Sequence, residues 1–383
     1  MAQRIRLGLP FNYDENWIGG AYYAQNLVSS FRLLPQAMQP DVFVLSHDRK
    51  SFDFIAQGSG YSRCTWVQPA RLADIDGGIF RKLRLLQKIV PRILKRKMKF
   101  DIIYPFPIDR QAAETVCWIP DLQEKHLPHL FDAKELEQRD NQVRYFFQNF
   151  GNIVFSSEAA RKDFETFYPE ADVKTHVVHF AVFNPPAPTI SIAEIRKKYK
   201  LPTRFFYCPN QFWVHKNHVI VLEALAKLKD EGVKVDVVFS GKEHDHRAPT
   251  HAQDLKDRAK ALGIDDRTHF LGFLPRDEQV TLFGQAVSIV QPSLFEGWST
   301  VIEDAKATSQ FVIASDLAVN REQINKNVAF FDPKDALSLA AILAQYAHKD
   351  PERVELDYTI KQRAFAEDFL KVAENLRASA GGK

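Results

Sequence analysis

The run Gln291-Pro292-Ser293-Leu294-Phe295-Glu296-Gly297-Trp298-Ser299-Thr300-Val301-Ile302-Glu303-Asp304-Ala305 decides how this chain is read. An apolar strand ends near Gln291, a loop carries an acid and a glycine, and a hydroxyl pair opens a helix. Thr300 and Glu303 have the spacing of a capping box with Thr300 as N-cap. Backbone N–H groups left free at such a helix start, together with the helix dipole, suit a phosphate group. Gly297 lets the backbone approach a ligand closely. Glu296 and Asp304 can accept hydroxyl hydrogen bonds on opposite sides of that anion, and an anion flanked by polyols describes a nucleotide sugar. The same spacing also occurs in ordinary capping boxes with solvated loop acids, so spacing alone leaves both readings open.

Outward from this run, apolar segments of strand length alternate with helical ones. Upstream come strands at 205–208, 235–240, 268–271 and 288–291, with helices at 218–228, 252–262 and 279–286 between them. Downstream follow a helix at 301–307 and strands at 311–314 and 329–331. The N-terminal half repeats the theme. A strand spans 4–10, Gly19-Gly20 opens a helix over about 21–34, and strand candidates follow at 42–45, 102–104, 115–119 and 152–155. Buried strands alternating with helices predict an α/β fold with parallel sheets covered on both faces. The cluster Asn184-Pro185-Pro186-Ala187-Pro188 suits neither helix nor central strand and reads as a linker and hinge candidate. We therefore expect two Rossmann-like domains, 1–183 and 184–355, with the ligand crevice between them. A last helical segment, 356–383, carries the apolar stripe Phe365, Phe369, Val372 and Leu376 and could cross back to the first domain.

Composition narrows the function classes. The chain has 383 residues, enough for two cores, and 45% are hydrophobic. A net charge of +3 gives no global field for nucleic acid. Three separated cysteines form no CxxC pair, which argues for a reducing, cytoplasmic setting without disulfide or zinc. No stretch reaches the roughly 20 apolar residues that cross a bilayer. Residues 81–99 hold nine Lys/Arg and no acid, interleaved with apolar residues. That pattern suits a basic amphipathic helix lying on an anionic inner membrane face, or a surface helix with its stripe in the core.

The Glu296 run resembles the signature of the retaining GT-B glycosyltransferases of family 4, the glycosyl transferases group 1: a Pro-Ser-x-x-Glu-Gly run with a second acid eight residues after the first. Glu296 matches the first acid. Asp304 matches the second, shortened by one methylene, with Ala305 at the family's alanine. The resemblance implies that Glu296 contacts the donor sugar and Asp304 holds the ribose hydroxyls, with Gly297, Trp298, Ser299 and Thr300 around the donor. The segment Asn210 to His218 is similar to the family's diphosphate-gripping stretch. Lys216 fits its lysine, and Gln211 stands where the family has an arginine. Leu274, in Phe270 to Pro275, matches the loop that reads the nucleobase by backbone contacts. Phe311 to Asp316 and Asn320-Arg321-Glu322 resemble the strand and loop beneath the sugar.

The N-terminal half carries weaker matches. Gly19 and Gly20 resemble the family's glycine pair beside diphosphate or acceptor. Asp121 matches the acid of a His-Asp pair that faces the reacting sugar; Pro120 takes the histidine position, and His126 could reach the same space. Ser156-Ser157-Glu158 fits a domain-boundary or acceptor-side role. The resemblance implies transfer of a sugar, with retention, from a nucleotide-sugar donor to a saccharide or lipid-linked acceptor. No cofactor is expected. No Asp-x-Asp element stands at a strand end, and His244-Asp245-His246 reads as a solvated loop, so no metal is expected either. A nucleotide-sugar epimerase or hydrolase on the same scaffold and a binding module without catalysis stay open. A nicotinamide-dependent oxidoreductase would need Gly-x-Gly-x-x-Gly, which Gly19-Gly20 does not supply.

Overall fold

A computed structural model gives the fold and describes residues 4–14, 18–68, 100–108, 115–183 and 189–381. The basic segment 81–99 and the proline cluster 184–188 lie outside the described residues, and so do the membrane and hinge readings attached to them.

The first lobe begins with β1 (Arg6–Pro10), α1 (Ile18–Ser30), β2 (Asp41–Leu45), α2 (Arg49–Ser59), β3 (Cys64–Val67) and β4 (Ile102–Ile103). These strands form a parallel sheet in the order β3-β2-β1-β4. A parallel bridge from Ile103 to Thr115 joins it to a second set, β5 (Cys117–Ile119), β6 (Asn152–Phe155) and β7 (Lys174–Val177), in the order β5-β6-β7. Between β5 and β7 run α3 (Ala133–Asn149) and α4 (Glu158–Phe167). Local chemistry sets these helix starts. Asp48 caps α2, Asp132 and Glu135 make a reciprocal box on α3, and the Ser157 hydroxyl accepts from Ala160 N at the start of α4.

The second lobe holds α5 (Ile192–Tyr199), β8 (Phe206–Cys208), α6 (His218–Asp230), β9 (Val237–Phe239), α7 (His251–Ala261), β10 (Thr268–Phe270) and α8 (Arg276–Gln285). It continues with β11 (Ile289–Gln291), α9 (Thr300–Ala307), β12 (Val312–Ser315), α10 (Ala318–Gln323), β13 (Val328–Phe331) and α11 (Ala336–Gln345). The six-stranded parallel sheet has the order β10-β9-β8-β11-β12-β13. Chain order reverses between β8 and β11, which makes their carboxyl ends the switch-point crevice of this sheet. The fold is α/β with two Rossmann-like parallel-sheet lobes, the GT-B arrangement.

The final helix, α12 (Thr359–Gly381), leaves the second lobe and packs on the first. Phe365, Phe369, Leu370, Val372 and Ala373 join Leu7, Leu9, Leu27, Phe31 and Tyr104 in one buried cluster. Tyr358 marks the crossing: its hydroxyl accepts from Val182 N at 3.0 Å and donates to Glu303 Oε2 at 2.5 Å. No described helix is long and apolar enough to cross a membrane.

Candidate active site

The site grows from the two strands flanking the switch point. After β8 the chain turns through a 3-10 segment, Val214–Lys216, and Asn217 adopts φ 55°, a left-handed conformation that asparagine tolerates. The Asn217 amide donates to Pro292 O at 3.1 Å and Pro333 O at 2.9 Å, and Leu294 N donates to His215 O at 2.8 Å. The β8 and β11 loops are thereby laced together. This lacing brings Lys216 Nζ to 2.6 Å from Glu296 Oε1, with side chains only 16% and 7% exposed. Gln291 Nε2 donates to the same carboxylate oxygen at 2.7 Å. A pair this enclosed holds only when further hydrogen bonds satisfy it, and Gln291 supplies one.

The opposite lobe closes on this pair. A Cβ at Gly297 would stand 2.5 Å from Pro120 O and 2.7 Å from Asp121 Cβ. On the side where a Cβ would stand, the close approach at Gly297 is therefore to the facing lobe. Burial pushes the Asp121 carboxyl above its ordinary range. The Gln123 N–H and Arg139 oppose that rise, the Glu296 charge adds to it, and Lys216 opposes it. Three of the sequence candidates, Lys216, Glu296 and Asp121, thus share one electrostatic environment across the cleft.

The helix opening departs from expectation. Ser299, not Thr300, is the N-cap of α9, its hydroxyl accepting from Ile302 N at 3.4 Å, and Thr300 is the first helical residue. Glu303 makes no reciprocal cap. It is buried and takes Lys306 Nζ at 2.6 Å, Gln323 Nε2 at 2.9 Å and the Tyr358 hydroxyl. The capping-box spacing misled because these partners, distant in sequence except Lys306, draw Glu303 inward. Gln323 also clasps Ser299, accepting from its N–H at 3.0 Å and donating to its carbonyl at 2.8 Å. Asp304 is buried, and both of its oxygens are held by the Arg276 guanidinium.

The other candidates scatter. Gly19 lies in the first turn of α1, where an added Cβ would meet nothing within 4 Å, and Gly20 beside it is buried. Gln211 sits half-buried after β8, in the loop that Lys216 shares. The Leu274 side chain is in the core with Val238 and Leu282, and its carbonyl accepts from Gln279 Nε2 at 2.9 Å. Trp298 belongs to the seam between lobes: Nε1 donates to Phe180 O at 3.1 Å and the ring stacks on His179 at 4.4 Å. His126 pairs within the first lobe while its ring reaches the loop that carries Glu296. Its Nε2 meets Asp163 Oδ2 at 2.8 Å, and its ring packs near Phe295 and Phe167.

Sequence reasoning gave no role to Arg276, and it placed Glu322 only near the sugar. Glu322 instead accepts from Glu158 N at 2.7 Å, Ala159 N at 3.1 Å and His179 Nε2 at 2.7 Å, which caps α4 from the other lobe. The Ser157 region expected at a boundary is where that contact falls. Arg276 could have been flagged only as a cation at the start of a helix, where the dipole disfavours it. Among the described residues, no group of three or more His, Cys, Asp or Glu could hold a metal. Asp245 accepts from Arg247, and His246 meets Glu135 Oε1 at 3.2 Å.

This arrangement defines a class: a two-lobed α/β protein with a charged interlobe cleft at a parallel-sheet switch point. Residues 191–363, most of the second lobe, match the family model described as glycosyl transferases group 1. Among curated proteins none matches. Solved structures share the fold over nearly the whole chain. Anabaena HepE in complex with UDP and glucose is 15% identical, with a TM-score of 0.62 and coverage of 99% of this chain and 98% of that one. A glycosyltransferase from Rickettsia africae is 14% identical, with a TM-score of 0.66 and coverage of 97% and 98%. The lipopolysaccharide outer core galactosyltransferase WaaB, in its apo form, is 13% identical, with a TM-score of 0.60 and coverage of 97% and 99%.

Proposed function

We propose that this protein is a retaining glycosyltransferase that moves a sugar from a nucleotide-sugar donor to a saccharide or lipid-linked acceptor without a metal. The observation carrying this reading is the meeting of Lys216, Glu296 and Asp121 where the β8 and β11 loops face the first lobe. The glycosyl transferases group 1 match over the second lobe supports it.

The donor diphosphate lies against Lys216 and the first-turn amides of α9, which an α-helix leaves without intrahelical partners. Lys216 stabilises the charge that builds as the bond from the anomeric carbon to the diphosphate breaks. Glu296, fixed by Gln291, orients the sugar hydroxyls. The acceptor hydroxyl attacks the same carbon from the leaving-group face, and its proton passes to the departing phosphate oxygen. Asp121, on the wall contributed by the first lobe, accepts a hydrogen bond from the sugar or the acceptor.

The test begins with thermal shifts against UDP-, GDP- and ADP-sugars, because a ligand specific for the folded state raises its melting temperature. The stabilising donor is then incubated with candidate acceptors and EDTA, and the anomeric configuration of the product is read by NMR. A retained configuration in EDTA is expected. Inversion, or a requirement for a divalent ion, overturns the corresponding part of the reading. Donor loss at full rate without acceptor would mark a hydrolase or epimerase instead.

A further inference from the structure

The cleft is short of positive charge. Lys216 is already matched by Glu296 at 2.6 Å, Arg276 is matched by Asp304, and Asp121 adds a third carboxylate. A nucleoside diphosphate entering there brings more negative charge, and Lys216 meets it with a carboxylate at its side. The cleft therefore needs a cation whose own partner can be satisfied by something else when the diphosphate arrives.

Arg276 has that property. It opens α8, after the β10 loop, yet its guanidinium reaches Asp304 on α9. The ionisation of Tyr207, on β8, responds to Arg276 and Asp304 as neighbouring charges, so the pair stands near the end of the strand that leads to Lys216. From the opposite lobe, Tyr22 on α1 senses the same two charges and is 39% exposed. The Arg276 side chain keeps 31% of its surface open, whereas that of Asp304 keeps 10%. The arginine thus keeps more of its surface open than the aspartate that holds it. Arginine carries five N–H donors in a planar fork that matches phosphate as well as carboxylate. Asp304, an acceptor only, is equally satisfied by vicinal hydroxyls.

We propose that Arg276 is the exchangeable anion-binding residue of the donor site: it holds Asp304 in this structure and shifts its hydrogen bonds to the donor diphosphate as ribose hydroxyls take its place on Asp304. This inference rests on the cleft being a nucleoside-diphosphate site. The exchange makes ribose and diphosphate recognition cooperative. Ribose hydroxyls that engage Asp304 free the arginine, and a diphosphate without ribose must break the ion pair unaided.

The test is calorimetric binding to the full-length protein of UDP, GDP and ADP, of their nucleosides, and of inorganic pyrophosphate. For the nucleoside diphosphate that the wild type binds, Arg276→Ala weakens affinity by about tenfold or more, while the matching nucleoside binds as tightly or more tightly. Asp304→Asn acts in opposite directions: pyrophosphate binds several-fold tighter, because Arg276 is no longer held by a carboxylate, and the nucleoside binds more weakly. A residue that merely packs against Asp304 cannot produce that opposition. Arg276→Ala with unchanged diphosphate affinity overturns the proposal, as does an equal loss of nucleoside and diphosphate. If melting curves show Arg276→Ala unfolded, the Asp304→Asn arm decides, and no gain in pyrophosphate affinity overturns it. A wild type that binds no nucleoside diphosphate at all sinks the glycosyltransferase reading as well, so the two failures are told apart.

Discussion

Gly297 lies against Asp121 so closely that a Cβ would come within 2.7 Å of the aspartate's own Cβ. The contact joins the β11 loop of the second lobe to the wall of the first. Gly297→Ala should therefore hold the lobes apart. Overpacking of this kind costs about 1–3 kcal/mol, and here it falls on the interlobe contact more than on either core. We expect turnover to drop about tenfold or more, with a small change in melting temperature and a larger radius of gyration by solution scattering. Full activity in a chain of unchanged size would refute the role of this contact.

Lys216→Ala and Glu296→Ala should each lower turnover by at least about tenfold, roughly 1.4 kcal/mol of barrier. Steady-state rates with the cognate donor provide the check. Near-normal rates in both variants would remove the catalytic assignment. Removing Lys216 also strands a largely buried carboxylate, so thermal melts must accompany the kinetics.

Glu303 discriminates between a helix cap and a buried hub. Loss of an ordinary cap costs about 1 kcal/mol. Loss of a carboxylate that holds Lys306, Gln323 and Tyr358 away from water should cost about 3–5 kcal/mol. Denaturant unfolding of Glu303→Ala, beside Tyr358→Phe at about 1 kcal/mol, separates the two. A Glu303→Ala loss no larger than that of Tyr358→Phe would return Glu303 to the helix surface.

Acid should weaken the fold through two buried histidines beside the Lys216 loop. Burial carries His218 down to about 3 and His215 well below its usual range, with neighbouring cationic groups adding to both. The unfolded chain takes up these protons near pH 6.5 and the folded chain does not. Stability is therefore full above pH 6.5 and falls as the pH drops toward 3. His218 alone should contribute a loss of about 2 kcal/mol between pH 6.5 and 5. Urea midpoints at the two pH values test this, and His218→Phe, which keeps the ring stacked on Phe212, should flatten the dependence. A midpoint that does not move with pH would contradict it.

Periodicity made most of the second lobe legible, because buried strands of three or four apolar residues alternate there with helices. It was blind to β3 and β7, whose mixed sequences CTWV and KTHV lie at the margins of their sheets. The two residues that meet in the charged pair of the second lobe, Glu296 and Lys216, were legible because each stands just after a strand. What pairs across the fold was not. Asp304 with Arg276, Glu322 with the α4 amides and Glu303 with Tyr358 are separated by 28 to 164 residues, in ways no local pattern encodes. His126 adds a pairing of the same kind: its partner Asp163 lies 37 residues further along the chain.

The return of α12 to the first sheet has a consequence for how the molecule is made. Phe365 and Phe369 complete a core whose other members, such as Leu7 and Phe31, are synthesised more than three hundred residues earlier. The early lobe must wait on the ribosome with that face uncovered, while the later lobe, contiguous in sequence, can close first. A fragment ending at residue 183 would carry exposed apolar surface in place of a finished core. Any attempt to isolate an acceptor-side module should therefore append residues 358–381 through a linker instead of cutting the chain once.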